Sequence, residues 1–418
     1  MNLSRNILLV FASEHVIRMK KLFACLALVF LAPLLGSLHA QDGQQPSEQY
    51  EPPPPEGIDV DYFAPPKQKL SVGLRYLSGP KVSFSGSGNI PAQADPSADS
   101  TTTGRTYNDG TVSPDTRNGG LSTNDGRTNT WSYDSASQAL ASGGVDMHAY
   151  SAEINGNNTH GGQANLASGV EATYERDFGW HIGRIQFDLI AGLAINKISY
   201  SRSSQVDATL TTLTDHYNAY NPILDSTGTP VTDSNGNPTY PTTPSTTPVP
   251  AAPYVAPSAD TNGNANTTLL DSEPATSSTN TQETQATDQW TINGAYFTLR
   301  AGPQMTVPFT KNFSASVSGG PALLYVGTTF TVNQTLTPPT GSSITSTVSD
   351  DYYTVLPACF ADADLEYSLT ETTGLYLGAI FQSSTGYNQS IHSLDGNYTN
   401  RVEFGNEEGV RGGINFKF

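Results

Sequence analysis

Eight stretches of this chain alternate between apolar and polar residues with a period of two, the pattern of a β-strand whose faces meet different surroundings. One face of each can be written as a set: Leu70 to Tyr76, Val170 to Tyr174, Ile185 to Ile195, Ala295 to Val307, Ala315 to Tyr325, Tyr353 to Tyr367, Leu375 to Phe381 and Val410 to Phe418, taking every second residue. No member of these sets is charged. The opposite faces carry Arg75, Glu171, Glu175, Arg184, Asp188, Arg300, Asp362, Asp364, Glu366, Arg411 and Lys417, six acids against five bases. A soluble β-sandwich alternates in the same way but turns its apolar faces inward, so alternation alone leaves both architectures open. On a lipid-facing surface a Lys or Arg at mid-membrane would cost roughly 2–4 kcal/mol, which is the selection such uncharged faces would reflect.

The connections between these stretches alternate in length. Residues 176–180, 308–312 and 369–374 read as tight turns, and residues 79–165, 201–288, 331–350 and 384–408 as long connections. Short turns on one side and long loops on the other suit an up-and-down barrel with an even strand number. Aromatics gather at both ends, with Tyr174, Trp180, Phe309, Phe313 and Phe418 at the short-turn end and Tyr76, Tyr200, Trp290 and Tyr353 at the other. Pro303, Pro321 and Pro357 run against the pattern, because proline removes a ladder hydrogen bond and demands a bulge or an edge. Residues 143–155 alternate weakly and read as an outer hairpin or an additional pair.

Composition narrows the choice. The 418 residues are 36% hydrophobic and 14% charged, with 38 Gly and 28 Pro, yet they include 20 Tyr and 16 Phe. Disordered chains are poor in aromatics, whereas a barrel with a polar interior needs apolar residues on only half of each strand. The net charge of −18 excludes nucleic acid as an expected partner. Met19-Lys20-Lys21, the apolar run Leu22 to Leu35 and Leu38-His39-Ala40 have the layout of a secretory signal peptide over residues 1–40, with the true start at Met19 and cleavage after Ala40. That run is too short for a spanning helix of about 20 residues, so insertion must be by strands. Only Cys359 then remains, which excludes an intramolecular disulfide. Residues 41–68, with Pro52 to Pro55, read as an extended periplasmic linker, and residues 69–418 as the barrel, with long loops at 79–165 and 201–288.

The chain ends Arg411-Gly-Gly413-Ile-Asn-Phe416-Lys-Phe418. This resembles the C-terminal strand of small bacterial outer-membrane β-barrel proteins, whose insertion signal has a polar residue, Gly, an apolar residue and a terminal aromatic where Arg411, Gly413, Phe416 and Phe418 stand. The resemblance implies an all-β, antiparallel, up-and-down transmembrane barrel of eight strands with long extracellular loops, located in the bacterial outer membrane. It also implies insertion by the barrel assembly machinery, contact with outer-membrane lipid and lipopolysaccharide, and a non-enzymatic role without cofactors.

At eight strands a barrel interior is just wide enough for side chains to fill, so the inward charges read as a mutually satisfied network rather than the lining of an open pore. The expected function is a surface-exposed envelope-structural or adhesion and recognition protein; the alternative is a porin-like channel for small solutes. Other motifs are weaker. Asp260 to Asp271 has a partial calcium-loop spacing without its Gly and Glu. Ser390, His392 and Asp395 hold triad residue types as near neighbours in sequence, which seldom form a triad. The Pro- and Thr-rich segment 223–257 reads as a mobile hydrophilic cover, with Tyr217, Tyr220, Tyr240 and Tyr254 as candidate contacts for a surface ligand.

Overall fold

The computed structural model describes residues 68–99, 103–117, 125–155, 158–234, 236–255 and 268–418. The expected signal peptide and nearly all of the linker lie outside them. Eleven antiparallel strands form one sheet: β1 (Gln68–Leu77), β2 (Lys81–Ile90), β3 (Val145–Ile154), β4 (Asn158–Gln163), β5 (Ala167–Ile182), β6 (Ile185–Tyr217), β7 (Thr276–Pro308), β8 (Phe313–Leu336), β9 (Ile344–Ser368), β10 (Thr373–Ser393) and β11 (Gly396–Lys417). The pairings β1–β5–β6–β7–β8–β9–β10–β11 return to β1, where Lys69 stands opposite Lys417 and Leu77 opposite Gly409, so the sheet closes on itself. Every alternating stretch of the sequence lies in one of these ring strands. The closed ring has eight strands of unequal length, and the whole sheet has eleven, because β2, β3 and β4 are separate segments joined to it.

Side-chain polarity reverses along the strands. In the part that carries the short turns, outward residues are apolar and exposed, such as Leu323 at 51%, Val355 at 58% and Leu377 at 67%, while Arg75, Asp362 and Arg300 are buried inside. Beyond this apolar belt the same strands turn Ser, Thr, Asn and Gln outward and bury Trp290, Ile292, Phe330, Val332 and Val402. There the ladder parts along two seams. β9 meets β10 only from Ala358 opposite Ser384 toward the short turns, and β6 leaves β5 after Asn196 and meets β3 from Ala208. Two facing halves of the sheet result, β3–β6–β7–β8–β9 and β10–β11–β2–β4, still joined where Asn89 and Ile90 of β2 pair with Glu153 and Ala152 of β3. Their shared core is aromatic: Phe84 stacks on Phe330 at 5.5 Å and on Trp290 at 5.7 Å, and Trp290 meets Tyr398 edge-on at 5.5 Å. Tyr352 stacks on Tyr387 at 5.3 Å across the β9–β10 seam.

The expected long connections are therefore shorter than their bounds. β6 and β7 each run 33 residues, about 110 Å at the usual rise, and pair from Gln186–Thr306 to His216–Thr276. Residues 201–217 and 276–288 look like loop because they are polar, but they are rich in Thr, and alternate inward positions at Val206, Ala208 and Leu210, with Ala286 opposite Val206, are apolar and buried. The remaining parts of the two long connections fold onto the tip. Arg105–Thr106, Gly110–Val112, Trp131–Tyr133 and Tyr254–Val255 form a four-stranded sheet. Tyr107, Val112, Trp131 and Tyr133 pack with Val145, Met147, Ala149 and Tyr217.

The prolines fall where pairing is interrupted. The β7–β8 ladder breaks between Arg300–Ala322 and Gln304–Ser318, a gap that holds Pro303 and Pro321, and Pro357 lies just past the last β9–β10 pair. The expected turn at residues 176–180 is instead strand. β5 continues to Ile182 with a register shift at Phe187/Asp188, and the chain reverses at Gly183, whose φ of 64° suits a residue without Cβ.

The aromatic core makes a measurable commitment. Trp290→Ala should destabilise the refolded protein by about 3–5 kcal/mol, read from urea unfolding in detergent micelles, because it empties a fully buried site shared by both sheets.

Candidate functional site

The buried charges inside the belt are the densest polar constellation among the described residues. Period two brings them together: each stands on an inward face, and ring closure turns inward faces of sequence-distant strands toward one another. Arg300 on β7 donates from Nη1 to Asp362 Oδ2 at 2.7 Å and from Nη2 to Glu171 Oε2 at 3.1 Å and Thr173 at 3.2 Å. Arg411 on β11 donates from Nε to Asp364 Oδ1 at 2.8 Å and from Nη1 to Glu171 Oε1 at 3.2 Å. Tyr376 adds its hydroxyl to the same Glu171 oxygen at 3.1 Å. The Glu171, Arg300 and Asp362 side chains are at most 1% exposed, so these groups are removed from water and depend on one another for hydrogen bonds.

Toward the short turns lies a second group. Lys69 Nζ meets Glu175 at 2.7 Å and Glu366 at 3.0 Å, and Lys417 Nζ meets Glu366 at 2.6 Å. Asp188 accepts from Gln186 at 2.9 Å and Thr306 at 3.2 Å, with no basic partner within salt-bridge distance among the described residues. Toward the aromatic core, Arg75 Nη2 donates to Gln382 Oε1 at 3.0 Å, and Gln382 Nε2 donates to Glu407 at 3.1 Å, which also accepts from Tyr296 at 3.2 Å. The interior is thus tiered: a salt-bridged floor, an Arg–carboxylate centre drawn from four strands, an amide-bridged layer, and then the aromatic core.

Of the eleven charges expected on inward faces, ten take part in these tiers. Arg184 does not. It is exposed in the β5–β6 turn beside Gly183, because the bulge shifts the hairpin past the turn that the sequence suggested. Lys69, Gln382, Tyr376 and Glu407 belong to the tiers and escaped the sequence reading. Lys69 has the parity of Arg75, and Glu407 that of Arg411, so extending each stretch by a few residues would have found both. Tyr376 needs a different signal: a Cβ on Gly73 would stand 2.2 Å from its hydroxyl, so the glycine clears the space that the ring fills. Gly413 likewise lets β11 lie against β1, where a Cβ would meet Val72 O at 2.1 Å, while Phe416 and Phe418 point outward.

The weaker candidates do not assemble. Ser390 bonds Thr399, and His392 bonds Asn397 across the β10–β11 hairpin, so neither serves the other. Most of the calcium-like loop lies outside the described residues, and Asp271 at its end accepts from Asn218 at 2.9 Å. Tyr217 and Tyr220 are buried and Tyr254 packs 4.6 Å from Trp131, so these tyrosines are part of the packing of the tip. Burial pushes the Tyr217 hydroxyl up to about 12. Asp288, fully buried above the aromatic layer, faces Gln334 and the Trp290 indole, and burial raises its carboxyl above the usual range.

Two predictions follow from these environments. Glu171→Gln leaves Arg300 and Arg411 under-neutralised and should cost about 3–5 kcal/mol in urea unfolding, whereas Arg401→Gln, which breaks an exposed pair with Glu403, should cost about 0–1 kcal/mol. Because the raised Asp288 carboxyl binds its proton more tightly folded than unfolded, its contribution is present below the unfolded value and lost as pH rises through the folded one. Asp288→Asn should therefore flatten the fall in stability above pH about 4, as measured by urea midpoints across a pH series.

No family model matches this chain, and no curated protein does. Among solved structures it is similar to the outer membrane protease OmpT from Escherichia coli, with 10% identity over 87% of this chain and 99% of that one and a TM-score of 0.25. It is also similar to a Pseudomonas aeruginosa FadL homologue, with 10% identity over 84% and 90% and a TM-score of 0.15. A third is the outer-membrane expressed OmpT of Vibrio cholerae, with 7% identity over 83% and 98% and a TM-score of 0.10. The first of these corrects the expectation that the chain is not an enzyme: one of the barrels it is similar to is a protease, so a barrel architecture gives no ground for excluding catalysis. All three similar structures are bacterial outer-membrane proteins.

Proposed function

We propose that this chain is an eight-crossing barrel of the bacterial outer membrane, carried there by its signal peptide, which acts as a closed, surface-projecting envelope protein. The observation that carries the reading is the reversal of polarity along single strands. A sheet that is apolar outside and charged inside suits lipid, and one that is polar outside and apolar inside suits water. The belt runs about 13 outward-alternating residues on β8, from Phe313 to Tyr325, enough for a tilted strand to cross a hydrocarbon core of about 30 Å. In this reading β1 and β2 are one crossing interrupted at residues 78–80. β3, β4 and β5 are likewise one descending strand, since each takes up the pairing where the last leaves it. Arg411, Gly413, Phe416 and Phe418 on β11 then serve as the insertion signal for the assembly machinery.

The interior supports a sealed barrel over a channel. Charged tiers tie strands across the lumen, and the Phe84, Trp290, Phe330 and Tyr398 layer stands above them. Single-channel recording of the refolded protein in a planar bilayer should give no steady conductance; steady openings would replace this reading with a porin. The belt boundary is tested separately. Leu323→Arg should lose about 2–4 kcal/mol of folding stability in lipid, while Thr331→Arg, on the same face of β8 beyond the belt, should stay within about 0.5 kcal/mol of the parent. Equal effects would mean that no lipid boundary separates them.

A further inference from the structure

Above the belt the two halves of the sheet meet along a seam that no ladder closes. β6 leaves β5 after Asn196–Gly169 and takes up β3 only at Ala208–Ile154, so its edge from Lys197 to Asp207 has no ladder partner among the described residues. Facing it stands β4, which pairs with β2. Side chains span the gap instead. His160 Nε2 lies 3.0 Å from Ser204 Oγ, and Gly162 leaves room for the Tyr200 ring, whose hydroxyl a Cβ there would meet at 2.3 Å. A backbone bond from Asn165 N to Ser199 O at 3.4 Å closes the belt end of the seam.

Directly behind this seam lies a buried acid. Asp288 on β7 stands opposite Ser204 in the β6–β7 register and is fully enclosed. Neither of its oxygens has a well-formed hydrogen bond among the described residues. Gln334 on β8 and the Trp290 indole on its own strand turn toward it, and Ser346 on β9 stands opposite Gln334; all three are neutral. His160 on β4 lies edge-on to Trp290 at 6.4 Å, and Tyr398 on β11 donates to Gln334 Oε1 at 2.9 Å, with Asp395 in the turn beyond it. Arg202 on β6 is exposed at the seam.

A carboxyl so enclosed is stable only with its proton in place. Burial raises it, and the amide, the indole and the His160 charge pull the other way without cancelling that rise. Once ionised it needs water, and the route that breaks no ladder bond is the seam one side chain away. We infer that the β4–β6 seam is a pH-sensitive door, shut while Asp288 holds its proton and opened by water drawn in when it ionises. By linkage, a carboxyl that binds its proton more tightly in the shut form favours that form at low pH, and the preference is lost as pH rises through the folded value. The door lies above the belt and works alike in lipid and in micelles.

Trp290, packed between both halves beside Asp288, reports on the door. The test follows acrylamide quenching of its fluorescence in refolded Trp131→Phe/Trp180→Phe protein, which leaves no other tryptophan. From about pH 4 to about pH 9 the quenching constant should rise about twofold or more as the local opening becomes populated. Asp288→Asn should hold it at the low-pH value throughout, while His160→Gln should leave the rise in place. A staple tests the route. In a Cys359→Ala background, His160→Cys and Ser204→Cys joined by a short bis-maleimide should lose the rise that the unjoined pair still shows. A rise that survives in Asp288→Asn, or that disappears only in His160→Gln, would overturn Asp288 as the trigger. A rise that survives the staple would overturn the seam as the route, and no rise in the parent would overturn the door altogether.

Discussion

A β-strand offers two faces and no third, and in this protein the same strands serve two opposite environments in succession. The constraint is backbone satisfaction. In the proposed lipid setting every N–H and C=O must be paired where water is absent, and a sheet closed around the belt meets that demand. Closure in turn fixes the inside of a narrow ring, where side chains from distant strands are pressed together and must satisfy one another. The Glu171 carboxylate, shared between Arg300 and Arg411 and touched by Tyr376, is where that pressure is most visible, since four strands meet at one group. Beyond the belt the constraint relaxes. Water can solvate an exposed ladder edge, and there the ring opens along two seams into facing sheets.

The two interiors solve the same packing problem with different chemistry. In the belt, apolar side chains are needed on the outside, and charge pairs fill the inside at a desolvation cost that the mutual hydrogen bonds offset. Above it, the outside is polar, and the inside can be an ordinary aromatic core with Phe84, Trp290 and Phe330 stacked between sheets. The amide-bridged layer of Arg75, Gln382 and Glu407 lies at the junction, where a side-chain amide can face charge on one side and rings on the other. In the proposed sealed barrel these layers succeed one another inside the ring, and the outer surfaces are then the places where the protein would meet other molecules.

Much of this was legible in the residues alone. Parity located every ring strand, separated the uncharged faces from the charged ones and named ten of the charges that the interior gathers, because period two is a local property that a sequence records directly. The interruptions at Pro303, Pro321 and Pro357 could likewise be anticipated from what proline lacks. Where strands end could not. Residues 201–217 and 276–288 are polar enough to pass for loop, and only their mutual pairing over a long register makes them strand. Arg184 was misplaced for a related reason, since a single bulge at Phe187/Asp188 moves a turn without changing the alternation on either side of it.

The sequence by itself determined which face of each strand is apolar and where along the chain that face changes character, because both follow from side-chain identity and a fixed geometric period. The tertiary structure alone decided which charges meet, that Tyr376 joins them, and that the polar connections fold back as ladder and tip instead of remaining loops. Those outcomes depend on ring closure and register, which are set by contacts between residues hundreds of positions apart and leave no local trace in the chain.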